Sequence, residues 1–347
     1  MSSSTEALAA PGVGILGTGA YLPAGVITNE EVGRGAGVTE EWILSKTGIH
    51  TRHRAAAEEA TSDLAYQAAK QALEDAGLRP DQISLIIVST ISPDGLGPST
   101  AAGVSGRLGC EITTAAFDIN AACSGFLYSL AVAKQFLQAG GGYGLVIGAD
   151  IYTKFVNPKD KHIAVLWGDG AGAVVLGPTA PGTGLLETKL FCDGSRWHLA
   201  GLEGGGSRHP ASHETVDANM HYMHMDGRGI TEALTTLVPP AFKSFLEQTG
   251  TSPEDVTHLV PHQGNANLVA GLPTMLGLEK SRLHLTADRY GNTGSASIPI
   301  TLHDALREDA FQPGELLMTA AFGIGFTLAF GLIRWPELPT RSERTSA

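Results

Sequence analysis

The chain has 347 residues, a net charge of −12, 43% hydrophobic and 17% charged residues, and 44 glycines. This length exceeds one typical domain, and the apolar content supports sizeable cores joined by tight turns, which excludes a disordered or fibrous chain. The acidic balance argues against a general nucleic-acid binder, and three cysteines, at 110, 123 and 192, are too few and too scattered for a disulfide framework or a zinc site.

In chain order, MSSSTEALAAPG lacks a basic segment followed by an apolar one, so it is expected to be a loose leader and not a signal peptide. No apolar run approaches the ~20 residues of a membrane span, and a reducing, cytoplasmic setting is expected. Residues 13–20 (VGILGTGA) read as a strand and turn; they lack the third glycine of a dinucleotide-binding fingerprint. Thr39 followed by two acids predicts a short helix over 39–44. The basic stretch behind it predicts an anion contact at Lys46, Arg52 and Arg54. An apolar stripe (Leu64, Ala65, Ala68, Ala69, Leu73) predicts a helix over 61–76, capped by Ser62 and stopped by Gly77. Residues 83–89 (ISLIIVS) read as a strand buried on both faces, 91–99 as a loop and 101–108 as a helix.

Residues 116–140 (AFDINAACSGFLYSLAVAKQFLQAG) read as strand, tight turn and helix, with Cys123 near the helix start. Unpaired N–H groups at a helix N-terminus ease thiol ionisation, and the small neighbours leave room for a reacting group, so this is a candidate nucleophile seat. Strands at 143–147 and after Asp169 follow. A second series repeats the alternation: strands at 184–190, 256–260, 316–321 and 326–333, and helices at 230–249, 268–277 and 298–308. Each series closes on a Gly-rich turn entering a strand, GDGAGAVVLG and GIGFTLAFGL. We therefore expect an α/β chain of two duplicated halves, 12–180 and 181–336, with mostly parallel strands and helical crossovers.

An activated thiol needs a base or cationic partner and an oxyanion site. His262 is the strongest of the 12 histidines, because it ends a predicted buried strand, where α/β sheets place ligands. Asn292, between two glycine-containing segments, reads on spacing alone as a turn residue. The turn at 323–325 offers either a backbone N–H to an oxyanion or only a tight turn. His221 and His224 in HYMHMDG lack the partners of a metal site, so no metal is expected.

Cys123 in NAACSGF, His262 in VPHQGNAN, Asn292 in RYGNTGSASIP and the ending AFGIGFTLAFGLIRW, with EEWILSKTGIHTRH and WGDGAGA, resemble β-ketoacyl-ACP synthase III of the thiolase superfamily, over about residues 12–335. The resemblance implies a thiolase-like five-layered αβαβα fold and a homodimer. It implies a Cys-His-Asn triad at Cys123, His262 and Asn292, with oxyanion donors at the backbone of Cys123 and Ile324. Acyl-CoA would load the Cys, and malonyl-ACP or malonyl-CoA would then lose CO2 and condense with the acyl group; no further cofactor is implied. Trp42, Lys46, Lys154, Gly227, Arg228 and Gly264 are implied to bind acyl-CoA, and Gly97 to shape the acyl pocket of a partner subunit. Three departures stand out: Ile324 where Gly is common, Gly97 where a bulky residue is common, and Asn267 where an Arg often docks the acyl carrier protein, with Lys280 or Arg282 as substitutes. They point to a secondary-metabolism, polyketide-type relative with a roomier acyl pocket. The competing reading is a same-fold acyltransferase that passes the Cys-bound acyl group to a hydroxyl, amine or carrier without forming a C–C bond.

Overall fold

The computed structural model describes residues 11–337. The expected leader and loose tail fall on 1–10 and 338–347, outside the described residues. The strands of the two large sheets are β1 (Gly12–Tyr21), β2 (Ile83–Ser89), β3 (Ala115–Ile119), β4 (Tyr143–Asp150) and β5 (Gly170–Thr179), then β6 (Gly184–Cys192), β7 (Val256–Pro261), β8 (Arg282–Leu283), β9 (Leu316–Gly323) and β10 (Thr327–Arg334). The first sheet runs β1-β5-β4-β2-β3 and the second β6-β10-β9-β7-β8. The order is therefore the same in both: first, fifth, fourth, second, third. In each sheet the second strand pairs parallel with its two neighbours, and the fifth pairs antiparallel with the fourth and the first.

The sheets are thus mixed, whereas the sequence reading expected mostly parallel strands. Only residues 324–326 join β9 to β10, and a link that short turns back as a hairpin, because a parallel crossover needs a dozen residues or more.

Alternation along the strands sorts the side chains into layers. Leu85 and Ile87 of β2 face a central core, while Ile86 and Val88 face an outer one. That outer core is covered by helices α1 (Thr61–Ala76) and α2 (Thr100–Leu108). The central core holds α3 (Gly125–Gly140) through Phe126, Leu127 and Leu130, and α6 (Ser297–Arg307) through Ile298 and Leu302. On the far side, Met318 and Phe330 pack under α4 (Gly227–Thr249) and α5 (Ala266–Leu276). Five layers result: helices, sheet, central helices, sheet, helices.

Two local readings are corrected. The start of α1 is not capped by Ser62: Ala60 is the cap position, and the Asp63 carboxylate accepts from the Ala60 N–H at 2.8 Å. The basic stretch is not a free anion site, because residues Thr51–Arg54 form a strand against Gly25–Thr28. Arg52 is buried there, donating to Asn29 Oδ1 and the Val165 carbonyl, and Arg54 pairs with Glu31 at 2.9 Å. Only Lys46 of the three faces the cavity described next.

Candidate active site

Cys123 sits where β3 gives way to a 3-10 turn, Ala122–Ser124, that feeds α3. Ala122 adopts φ +48°, a left-handed conformation unfavourable for a residue with a Cβ. Contacts from the other sheet hold the turn in this shape. Ser124 Oγ donates to the Thr327 carbonyl at 3.1 Å, and Thr327 Oγ1 donates to the Ala121 carbonyl at 3.2 Å. Gly323 is required beside it, since a Cβ there would come within 3.0 Å of both the Ser124 nitrogen and the Ala121 oxygen. The β9–β10 hairpin that carries Ile324 is therefore clamped against the cysteine turn. Ile324 keeps a negative φ and Gly325 takes +125°, so the departure from Gly at position 324 brings no left-handed strain. The Ile324 N–H donates to no backbone carbonyl among the described residues.

His262 follows β7, with its N–H on the Ala320 carbonyl at 2.8 Å. Its Nδ1 lies 2.8 Å from Ser297 Oγ, at the first residue of α6; that hydroxyl accepts from the Gln263 N–H and, in the tautomer that carries the ring proton on Nε2, donates its own proton to Nδ1. Nε2 is left for the cavity. The Asn292 Oδ1 accepts from the Gly294 N–H at 2.9 Å, which fixes the amide and turns Nδ2 outward. The two donors converge: a methyl placed on Gly264 would lie 3.0 Å from His262 Nε2 and 3.7 Å from Asn292 Nδ2. Cys123, His262 and Asn292 are 5, 7 and 6% exposed, so all three open to solvent only through this cavity.

The cavity has a volume of about 760 Å3. Of the residues singled out in the sequence, it is lined by Trp42, Lys46, Cys123, Gly227, Arg228, His262, Gly264, Asn292 and Ile324. Lys154 is not among them: its Nζ donates to the carbonyls of Ala57 and Glu59, at 3.0 and 2.6 Å. Lys161 lines the cavity instead, with its Nζ 5.9 Å from the Trp42 ring centroid, and His162 meets the same ring edge-on. The sequence signal for Lys161 was the basic run of Lys159 and Lys161 just ahead of WGDGAGA. Gly97 stands in an exposed loop outside the cavity of its own subunit.

The electrostatics differ from the sequence reading. Burial, reinforced by the nearby Asp150 carboxylate, pushes the Cys123 thiol up to about 12, against the lowering expected at a helix start. Burial pulls His262 down to about 4. Both shifts favour the neutral forms, a thiol and a neutral imidazole, over a thiolate–imidazolium pair. Among the described residues no cluster of His, Cys, Asp and Glu could hold a metal ion, and no helix is long and apolar enough to cross a membrane.

The site can thus present a sulfur nucleophile, a pair of neutral donors and a free backbone N–H to one reacting group. Family models for 3-oxoacyl-[acyl-carrier-protein] synthase III match residues 117–194 and, for its C-terminal part, 246–335; a thiolase N-terminal model matches 44–154. The chain is 46% identical over 323 residues to the acetoacetyl CoA synthase NphT7 of Streptomyces sp. (strain CL190), covering 92% of this chain and 98% of that protein. It is 43% identical to a β-ketoacyl-[acyl-carrier-protein] synthase III of Caldanaerobacter subterraneus subsp. tengcongensis, covering 93 and 98%. The crystal structure of the Aquifex aeolicus VF5 synthase III superposes with a TM-score of 0.85 at 36% identity, covering 93% of this chain and all of that one. A thiolase-like fold with a cysteine, a histidine and an asparagine around one cavity defines a condensing acyltransferase. The chain belongs to the 3-oxoacyl-[acyl-carrier-protein] synthase III family, whose reaction is a decarboxylative Claisen condensation.

Proposed function

We propose that Cys123 carries the acyl group and that His262 and Asn292 are the donor pair of the condensation. Acyl-CoA enters past Trp42, Lys46, Lys161 and Arg228, where cations in an otherwise acidic chain meet its phosphates. The Cys123 sulfur attacks the thioester carbonyl, the backbone N–H groups of Cys123 and Ile324 hold the oxyanion, and CoA leaves with the thiol proton. A malonyl thioester then binds. Its C–CO2 bond breaks, the electron pair forms an enolate whose oxygen takes hydrogen bonds from His262 Nε2 and Asn292 Nδ2, and CO2 departs. The enolate carbon attacks the acyl-enzyme, and the Cys123 sulfur leaves. The convergence of Nε2 and Nδ2 beside Gly264 carries this reading.

We further read the extender as CoA-linked. Asn267, where a docking Arg would stand, donates to the Ser45 carbonyl, and its suggested substitutes Lys280 and Arg282 lie beside Glu254 and Glu308. The Streptomyces relative is named for a CoA product. The chain is read as two halves, 12–180 and 181–336, a division supported by the shared strand order. It is also read as a homodimer. The edge strand β3 is half-buried along its whole length in the single subunit, and Leu96 and Ile112 nearby in sequence are 90 and 99% exposed, a surface that suits a second copy.

Intact-mass measurement after incubation with acyl-CoA tests the reading, with Cys123→Ala as control. A mass gain absent from the variant is expected. Malonyl-CoA should then discharge the acyl-enzyme with release of CO2 faster than malonyl-ACP does. Loss of the acyl group without CO2 release would move the assignment to simple acyl transfer.

A further inference from the structure

The two proposed donors must keep a fixed spacing, yet they come from different stretches of chain. His262 follows β7, while Asn292 follows Gly291 and the helical turn Ala287–Tyr290. Gln263 is bonded to both stretches. It is 1% exposed and is not among the residues lining the cavity, so it stands behind the site and not in it. Its carboxamide is used to the full. Oε1 accepts from the Thr286 and Ala287 N–H groups, at 2.9 and 3.1 Å. Nε2 donates to the Pro261 and His284 carbonyls, at 2.9 and 3.1 Å. A primary amide has two N–H donors and two lone pairs on its oxygen, so every one is taken, and the partners themselves decide which end is oxygen. The Gln263 backbone N–H adds a bond to Ser297 Oγ at 3.3 Å, the hydroxyl that meets His262 Nδ1.

These bonds join the strand end that carries one donor to the turn that carries the other. The Pro261 carbonyl lies just before His262 and Gln263 just after it, so one side chain fixes the backbone on both sides of the imidazole residue. Thr286 and Ala287 open the helical turn, and their carbonyls accept from the Tyr290 and Gly291 N–H groups at 3.0 Å each; Asn292 comes next. A displaced Gln263 would therefore move Nε2 of His262 against Nδ2 of Asn292. The Cys123 turn is held separately, through Ser124 and Thr327.

Resting on the donor reading above, we infer that Gln263 is a positioning residue: its saturated carboxamide sets the spacing between His262 and Asn292, and so it serves the condensation and not the acylation of Cys123. A glutamine that only filled the core would affect both steps alike, through the amount of folded protein.

The test follows both half-reactions on the full chain: Cys123 acylation by acetyl-CoA, read by intact mass, and CO2 release from malonyl-CoA per acyl-enzyme formed, so that misfolded material is not counted. Gln263→Met keeps the length of the side chain and loses all four of its hydrogen bonds. It should acylate within about threefold of wild type but condense about 30- to 100-fold more slowly, since a misplacement of about 1 Å costs about 10²-fold. The loss should fall on kcat, with KM for malonyl-CoA little changed. Gln263→Glu tests the bonds themselves. Burial against two carbonyls pushes a carboxyl up, so that near pH 6 it is neutral, accepting at one oxygen and donating from the other. At pH 6 this variant should condense about tenfold faster than the Met variant, an advantage that shrinks as pH rises and the carboxyl ionises. His258 and His284 nearby are the same in both variants, so the comparison at each pH isolates the new carboxyl. A Met variant that condenses within about threefold of wild type, a Met variant that loses both half-reactions in equal measure, or a Glu variant no faster than the Met variant at pH 6 would overturn the inference and leave the proposed function standing. If neither variant folds, amide hydrogen exchange in the wild type decides: the Thr286 and Ala287 N–H groups should be protected by Gln263 Oε1, and exchange within about tenfold of an open chain would overturn the inference. Failure of the wild type to load Cys123 from any acyl-CoA would overturn the proposed function and the inference together.

Discussion

Under the proposed assignment, replacing Asn292 should separate the two halves of the reaction. Asn292→Ala removes the Nδ2 donor that faces the cavity beside His262 Nε2. Losing one preorganised donor to a developing oxyanion slows its step by about 10²- to 10³-fold. The same change strips the acceptor from the Gly294 N–H, now bonded at 2.9 Å in a buried turn, and an unpaired buried N–H costs about 1–3 kcal/mol of stability. Asn292→Asp restores that acceptor but places a carboxylate where an enolate must form. Its condensation should fall at least as far while its stability stays closer to wild type. In the proposed mechanism acylation of Cys123 draws on backbone N–H groups and not on Asn292, so it should remain within about tenfold of wild type in both variants. The assays are intact-mass acylation by acyl-CoA and CO2 release from malonyl-CoA by the acyl-enzyme, with thermal melts alongside. Equal losses in acylation and condensation would refute the division of labour, as would condensation within about threefold of wild type in the Ala variant.

Three further outcomes follow from the geometry. Alkylation of Cys123 by iodoacetamide should be slow at pH 7 and climb about tenfold per pH unit up to at least pH 10, because a thiol pushed up to about 12 has no thiolate plateau near neutrality; a plateau between pH 6 and 8 would show an ion pair instead. Lys161→Ala should raise KM for acyl-CoA about fivefold with kcat little changed, while Lys154→Ala, whose ammonium faces the Ala57 and Glu59 carbonyls, should leave KM alone; the reverse pattern would restore the sequence-based assignment. Stability to urea should hold between pH 7 and 8 and fall below pH 6.5. His262 and His284 are buried and drawn down to about 4, so the unfolded chain takes up protons first as pH drops, which costs about 2 kcal/mol for each by pH 5. An unchanged urea midpoint at pH 5 would contradict that account.

Much of this was legible before any coordinates. Element positions followed the apolar periods closely, since a strand buried on both faces, such as β2, and a helix with a clean stripe, such as α1, leave little choice. Cys123 and His262 were visible because a reactive residue at a strand end breaks the apolar pattern. Asn292 was not visible from spacing, because an asparagine in a glycine-flanked turn serves local turns far more often than chemistry. Its role needs the Gly294 N–H on Oδ1 and the His262 ring opposite, contacts that span 30 residues of chain. Lys154 and Lys161 both follow β4 in one loop, and only the fold shows which ammonium turns toward Trp42. The thiol misled for a different reason: a helix start lowers a pKa, but burial beside Asp150 raises it, and burial is a tertiary property.

The matched strand orders explain why the chemistry sits where it does. In each sheet the third strand leads to a 3-10 turn and then to a helix of the central layer: Ala122–Ser124 before α3, and Gly294–Ala296 before α6. The first turn carries Cys123; the second is entered from Asn292, whose amide caps its first N–H. The second strand of the second sheet is followed by His262, and its counterpart in the first sheet is followed by Thr90, which donates to Asp150 at 3.0 Å. Equivalent places in the two sheets thus hold different groups, one side the proposed nucleophile and the other its proposed donors. Neither side is complete alone. α3 and α6 share one core, and the Cys123 turn is bonded to β10 through Ser124 and Thr327. The distances among sulfur, imidazole and amide are therefore set by the packing of the central helices between both sheets, and a substitution that thins that layer acts on catalysis as directly as on stability.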